Sequence, residues 1–294
     1  MEIQYCRPER FNSNNHHERR PFIVVNGILK VDPKAKWLLE LFPDAVLEDI
    51  TIPCMPINDP EWSIYLKIMD SYSLRPNTWG NLHWAKDKLQ IIPIPFVDHL
   101  HNLVHINNYR NLNEDDFEIW HKWIPIVETA LNIYPDGAFI KLSEKSPKNG
   151  LQKMKPCFTF IEIIDLITSS KELIKYLTKE EEYLILAPWK YFDRINEFRV
   201  FILDGKIRAI SQQDCYTEYG ARDVTNQIQL IIEWYEKIQF PYQYATVDVV
   251  VENECHLIEI NPPGDWGSAG SGLFHWIDDH DIFYNRPVIT VRIY

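Results

Sequence analysis

Hydrophobic positions along the chain follow two periods, one near two residues and one near three and a half, and the changes between them outline the elements. Residues 1 to about 21 are polar and are expected to be mobile at their start. Residues 22–105 set short apolar runs, such as FIVVNGILKV and LQIIPIPFV, between prolines, which predicts a small mixed α/β region. From Asn113 the period lengthens. In NEDDFEIWHKWIPIVETALN, Phe117, Trp120, Ile124, Val127 and Leu131 fall at helical spacing, and Pro125 predicts a kink or a restart. GAFIKLS then predicts a strand, and CFTFIEIIDLITSSKELIKYL two short helices with Thr159 and Ser169 or Ser170 as caps. EEYLILAPW returns to strand. In NEFRVFILDGKIRAISQ two alternating runs meet at Asp204-Gly205, a pair suited to the positive φ angles of a type I′ hairpin turn. VTNQIQLIIEWYEKIQF carries a helical stripe through Ile228, Ile231, Ile232, Trp234, Tyr235 and Ile238, and YATVDVVVENECHLIEIN predicts a second hairpin. The sum is an α+β chain.

Composition narrows the classes. With 294 residues, 46% of them apolar and 13% aromatic, the chain can bury one large core or two modest ones. A formal charge of −12 without a long basic block disfavours nucleic acid. Five scattered cysteines without a CxxC spacing argue against a disulfide framework or a structural zinc site and fit reducing cytoplasm. The N-terminus lacks an apolar signal core and no run of about 18 apolar residues occurs, so neither secretion nor membrane spanning is expected.

The hairpins concentrate the candidate chemistry. Counting outward from Asp204-Gly205 sets Phe201 opposite Arg208, Arg199 opposite Ile210 and Glu197 opposite Gln212, which gathers Glu197, Arg199 and Gln212 on one face. That face is either a solvated surface with a cross-strand ion pair or part of a site. In the second hairpin, a turn centred on Asn253-Glu254 sets Val247 opposite Ile260, Val249 opposite Ile258, and Asp248 opposite Glu259. Two carboxylates facing each other at roughly 5 Å repel. A divalent cation resolves that conflict, with Asn261 adding a neutral oxygen; the alternatives are an exposed acidic face or one protonated carboxyl. A three-residue loop would shift the register and separate the pair. Mg²⁺ suits such hard oxygen donors.

A nucleotide would also need positive charge. Lys141 shares its strand face with Ser143, and the loop KSPKNG with Ser146 and Lys148 follows; a strand-edge lysine can equally be a solvated guard against aggregation. LILAPWK could bracket an adenine, although Pro188 has no N–H and donation would fall to Trp189 or Lys190. DHLHNLVH offers Asp98, His99, His101 and His105 as a weaker zinc candidate.

FIKLSEKSPKNG, CFTFIEIIDLITSSKELI, LILAPWKYFDRINEFRVFILDGKIRAISQQDCY and TVDVVVENECHLIEINPPGDWGSAGSGLFHW run in an order that resembles the cell division cycle protein 123 family of the ATP-grasp superfamily, over about residues 110 to 280. The resemblance implies two α+β lobes that clamp ATP and Mg²⁺, with residues 1–105 as an additional N-terminal mixed region, 106–190 as one lobe and 191–294 as the other. It implies Lys141 on ATP phosphates, with Ser143, Ser146 and Lys148 in a covering loop, and Pro188, Trp189 and Lys190 as an adenine hinge. Glu197, Arg199 and Gln212 or Gln213 would line the nucleotide, and Asp248, Glu259 and Asn261 would hold magnesium, Asp248 serving both. Here KLSEKSP stands for the family's usual KLNWSAP, and Glu259 for its Asp. The implied role is a cytoplasmic, monomeric assembly chaperone whose protein partner is the γ subunit of eukaryotic initiation factor two; the alternative is an ATP-dependent ligase of the wider fold.

Overall fold

The computed structural model describes residues 1–5, 22–50, 59–75, 78–94, 114–147, 154–170, 173, 181–264, 270, 272–276 and 278–294. In chain order the elements are β1 (Glu2–Tyr5), β2 (Phe22–Val25), β3 (Ile28–Val31), β4 (Val46–Leu47), α1 (Asp59–Ser71), β5 (Gln90–Ile94), α2 (Glu114–Leu131), β6 (Ala138–Leu142), α3 (Phe160–Ser169), β7 (Glu182–Pro188), β8 (Glu197–Leu203), β9 (Lys206–Gln212), α4 (Thr225–Lys237), β10 (Ala245–Val251), β11 (Cys255–Asn261), α5 (His280–Tyr284) and β12 (Thr290–Ile293). They form two compact units, residues 73–191 and residues 1–72 together with 192–294.

In the unit of residues 73–191, an antiparallel sheet in the order β5-β7-β6 carries α2 and α3. Ile140, Leu142, Leu184 and Leu186 from the strands meet Trp123, Val127, Ile163 and Ile167 from the helices in a continuous apolar core. Trp123 keeps its indole N–H satisfied by donating to the Pro93 carbonyl, 3.0 Å away. Thr159 caps α3 in a reciprocal box with Glu162, as its position before an apolar run predicts. Ser170, expected to start a further helix, instead closes α3, its N–H donating to the Ile167 carbonyl. The expected second helix lies almost entirely outside the described residues. Pro125 neither ends nor restarts α2, which runs through it as one element. The proline sits on the exposed side, where water can replace the hydrogen bond its missing N–H forfeits.

The larger unit is built on a six-stranded sheet in the order β1-β12-β9-β8-β10-β11. Its first strand corrects the expectation of a mobile start, because Glu2–Tyr5 pair in parallel with Thr290–Ile293. The type I′ turn is present, with φ of 53° at Asp204 and 65° at Gly205. Two strands away from a flat count, however, both hairpins contain a bulge. Leu203 pairs with Lys206 and Ile202 with Ile207, but Phe201 pairs with Ala209, so Arg208 is an extra residue. Beyond it Arg199 stands opposite Ser211 rather than Ile210, and Phe198 rather than Glu197 opposite Gln212.

The second hairpin has a three-residue loop, since Val251 pairs with Cys255, and Val249 accordingly pairs with Leu257 rather than Ile258. That loop alone would separate the two acids. Ile258 is a bulge residue that restores the count, and Asp248 pairs with Glu259 and Val247 with Ile260. A separate small sheet, β2-β3-β4, begins with a second turn of the same kind, Asn26 and Gly27 having φ of 52° and 78°.

Candidate metal and nucleotide site

Cross-strand pairing across the six strands produces one transverse row on one face: Gln4, Arg292, Ser211, Arg199, Asp248 and Glu259. Neighbouring members are direct partners, so their side chains are held side by side. The guanidinium of Arg199 meets Asp248 as a two-pronged pair, Nε to Oδ1 at 2.8 Å and Nη2 to Oδ2 at 2.9 Å, and both residues are buried. Its remaining nitrogen, Nη1, donates to the Gly270 carbonyl at 2.6 Å. Burial pulls the Arg199 pKa down, but the Asp248 charge, its hydrogen bonds and the Glu259 charge outweigh it, and the guanidinium is held above its ordinary value.

The repulsion between Asp248 and Glu259 is therefore answered first by a cation the chain itself supplies. Two hairpins counted separately miss this, because Arg199 reaches Asp248 only when β8 lies beside β10.

Arg292 repeats the arrangement at the other end of the row, pairing with Asp279 at 2.5 and 2.7 Å and donating to the Leu273 carbonyl and to Gln4 Oε1. Between the arginines, Ser211 Oγ receives the Leu273 N–H at 2.8 Å. Gly272 passes so close that a Cβ there would lie 2.4 Å from Ser211 Oγ, and its φ of 59° favours glycine independently. Gly270, Gly272 and Leu273 are thus fastened to the sheet over Arg199 and Ser211, the neighbours of the acid pair in the row.

Whether a hard cation fits here depends on the oxygens around the two carboxylates. Asn261, buried, pairs with Thr246 one step along the same face. Thr246 Oγ1 is buried and has no hydrogen-bond partner. Gln213 donates from Nε2 to Asp248 Oδ2 at 3.3 Å, while its own Oε1 is buried and unpartnered. An orphaned buried oxygen costs on the order of 1–3 kcal/mol, and two of them beside an acid pair fit a bound divalent ion or its waters. Among the described residues no three His, Cys, Asp or Glu gather around one point. A metal here would therefore use two carboxylates and neutral oxygens, the set that suits Mg²⁺.

Consecutive glutamines point to opposite faces, and the bulge at Arg208 decides which of the two faces the site. Gln213 belongs with Asp248, whereas the Gln212 amide is bound elsewhere: Nε2 donates to the Asp214 and Thr217 carbonyls, and Oε1 receives the Tyr294 N–H. Glu197, at the start of β8, takes the Gln213 N–H on its carbonyl at 3.0 Å.

In the smaller unit, Lys141 is 6% exposed and its Nζ lies 6.0 Å from the Trp79 ring centroid, so it is not a solvated edge lysine. Ser143 is buried with its hydroxyl unpartnered, and its N–H donates to Glu182 Oε1 at 2.8 Å. Ser146 is half-buried, and Lys148 lies outside the described residues. Pro188 ends β7, and the Trp189 N–H is already donated to the Gly137 carbonyl at 2.9 Å, which leaves it unsuited to the adenine contact expected of it. Lys190 Nζ stands 5.9 Å from the Trp84 ring centroid. Asp98, His99, His101 and His105 lie outside the described residues.

The D123 family model matches residues 127–281. A putative CDC123-like protein of Acanthamoeba polyphaga mimivirus is 25% identical over 179 residues, covering 53% of this chain and 55% of that protein. A translation initiation factor eIF2 assembly protein of Xenopus laevis is 26% identical over 175 residues, 51% of each chain. The chain spans about half the length of these two curated relatives. Cell division cycle protein 123 of Candida glabrata is 36% identical over a shorter stretch of 94 residues, 30% of this chain and 26% of that one. The solved structure of Cdc123 from Schizosaccharomyces pombe aligns with a TM-score of 0.61 at 19% identity, covering 76% of this chain and 95% of that one, so the two share a fold.

Proposed function

The chain belongs to the D123 family, that of cell division cycle protein 123, with its α+β ATP-grasp fold, and from that membership we propose that it is a cytoplasmic, Mg·ATP-binding chaperone that assembles a translation initiation factor. The client proposed is the γ subunit of eukaryotic initiation factor two. The likeness to the eIF2 assembly protein of Xenopus laevis supports the assembly role. The observation that carries the ligand is the acid pair Asp248–Glu259 with two orphaned oxygens beside it, Thr246 Oγ1 and Gln213 Oε1.

Asp248, Glu259 and Asn261 would hold the magnesium in the larger unit, where the two hydrogen bonds from Arg199 fix the orientation of Asp248. Bound Mg·ATP would supply a concentrated negative phosphate group bridged to a hard cation. In the smaller unit, Lys141 is proposed to meet phosphate and Lys190 the base. The buried Ser143 hydroxyl is a further donor on the Lys141 strand.

Titration calorimetry of the full chain with Mg·ATP, repeated on Glu259→Gln, tests the ligand. Saturable binding that requires magnesium and is severely weakened in the variant is expected; nucleotide binding that is indifferent to both would end the assignment. Binding of the purified γ subunit, with and without Mg·ATP, tests the client.

A further inference from the structure

The small sheet of β2, β3 and β4 has an aliphatic outer face. Cross-strand pairing sets Val25 beside Ile28, and Ile23 beside Lys30, which in turn pairs with Val46, so these five side chains share one side. Their opposite side is the buried one: Phe22 and Val31, also partners, are 3% and 0% exposed, and α1 packs against β2 there. A sheet with one solvated face ordinarily alternates apolar inward with polar outward. Here the outward positions are Val25 at 36%, Ile28 at 51% and Val46 at 48% exposure, with Ile23 half-buried between them.

Among the described residues, the exposed charges that flank β4 are acidic. Lys30 is the strip's one cation, and it is already matched by Glu48, with Nζ to Oε2 at 2.6 Å. Asp44 and Asp49, both exposed, bracket β4 on either side. An apolar patch with acids along its β4 edge, on a chain of net charge −12, selects partners by complementary charge and orients them before contact.

We propose that the Val25, Ile28 and Val46 face is a docking surface for a protein segment that presents an aliphatic strip flanked by lysine or arginine. This rests on the chaperone reading above and assigns to it the place where the client is held, outside the acid-pair site. The acids set the register of the bound segment and the aliphatic strip supplies the buried area, so binding weakens with salt but is not abolished by it.

The test is the full-length Ile28→Ser/Val46→Ser variant, which trims the strip without changing charge. Two probes are used: the purified γ subunit, and a fluorescein-labelled amphipathic Leu/Lys peptide of about 15 residues beside its Leu/Glu counterpart. Wild-type protein should prefer the Leu/Lys peptide, and the variant should bind both it and the γ subunit at least about tenfold more weakly. Mg·ATP titration of the variant should be unchanged, which also shows that it is folded. Asp44→Asn/Asp49→Asn should flatten the salt dependence. Undiminished binding of the γ subunit by the Ser variant overturns the docking surface and leaves the chaperone reading standing. Peptide discrimination without any γ-subunit binding does the reverse. Self-association of the wild type that the Ser variant abolishes would make a second copy the occupant and would overturn the proposal.

Discussion

Replacing Arg199 by Met should expose how far the acid pair depends on the chain's own cation. Arg199 and Asp248 are 9% and 7% exposed and share two hydrogen bonds at 2.8 and 2.9 Å, so the methionine leaves Asp248 charged, buried and facing Glu259. Removing one partner of such a pair costs about 3–5 kcal/mol, and the lost bond to the Gly270 carbonyl adds about 1. For a chain of this size each kcal/mol lowers the melting temperature by about 2–4 °C, giving a drop of roughly 8–24 °C in metal-free buffer. Asp248→Asn alone strands the guanidinium instead, and the double variant, with both charges gone, should recover most of the loss. Magnesium supplies the second arm. A site occupied at about 100 times its dissociation constant gains about 2.7 kcal/mol, so millimolar Mg²⁺ should stabilise Arg199→Met and leave the double variant unmoved. The assay is thermal unfolding followed by tryptophan fluorescence, with and without Mg²⁺. An Arg199→Met midpoint equal to wild type, or a double variant no better than the singles, would refute the account of how the acids are held.

Four further outcomes are expected. Gly272→Ala should destabilise by more than about 1 kcal/mol, because a Cβ there meets Ser211 Oγ at 2.4 Å with φ at 59°; Gly272→Ala/Ser211→Gly should recover part of it in the same unfolding assay. Thr159→Ala should cost about 0.5–2 kcal/mol and show first as faster amide exchange in the opening turn of α3. The Phe158 N–H leads the causes that hold the Glu162 carboxyl below its ordinary value, so its stabilisation is full above about pH 4.3 and is lost as pH falls through the lower folded pKa; Glu162→Gln should abolish that part of the acid-side slope. Gln213→Leu should weaken Mn²⁺ binding followed by electron paramagnetic resonance, whereas Gln212→Leu should loosen the 214–217 turn without that loss.

Most element positions are legible in the pattern, because each hairpin and helix announces itself through a local period or turn pair. Asp204-Gly205 sets a turn whatever surrounds it. The same logic was available at Asn26-Gly27, where the pair sits between two apolar runs and the structure has a hairpin. What the pattern hides is register. Arg208 and Ile258 look like ordinary alternating residues, and only the neighbouring strand determines that each is extruded as a bulge. The acid pairing nonetheless follows from a simple count, because the loop and the bulge at Ile258 shift it by one residue in opposite senses. The partner of Asp248 was hidden for another reason: β8 and β10 are far apart in sequence, and no local rule places Arg199 beside the acid.

The extruded residue at Ile258 turns the spacing of the two acids into a matter of parity. Between Asp248 and Glu259 a single insertion or deletion within the paired strands would send one carboxylate to the far side of the sheet, while a length change absorbed in the unpaired tip, or two compensating changes, would be silent. A strand length change of one residue therefore keeps the acids together only where a second bulge, or the loss of this one, accompanies it.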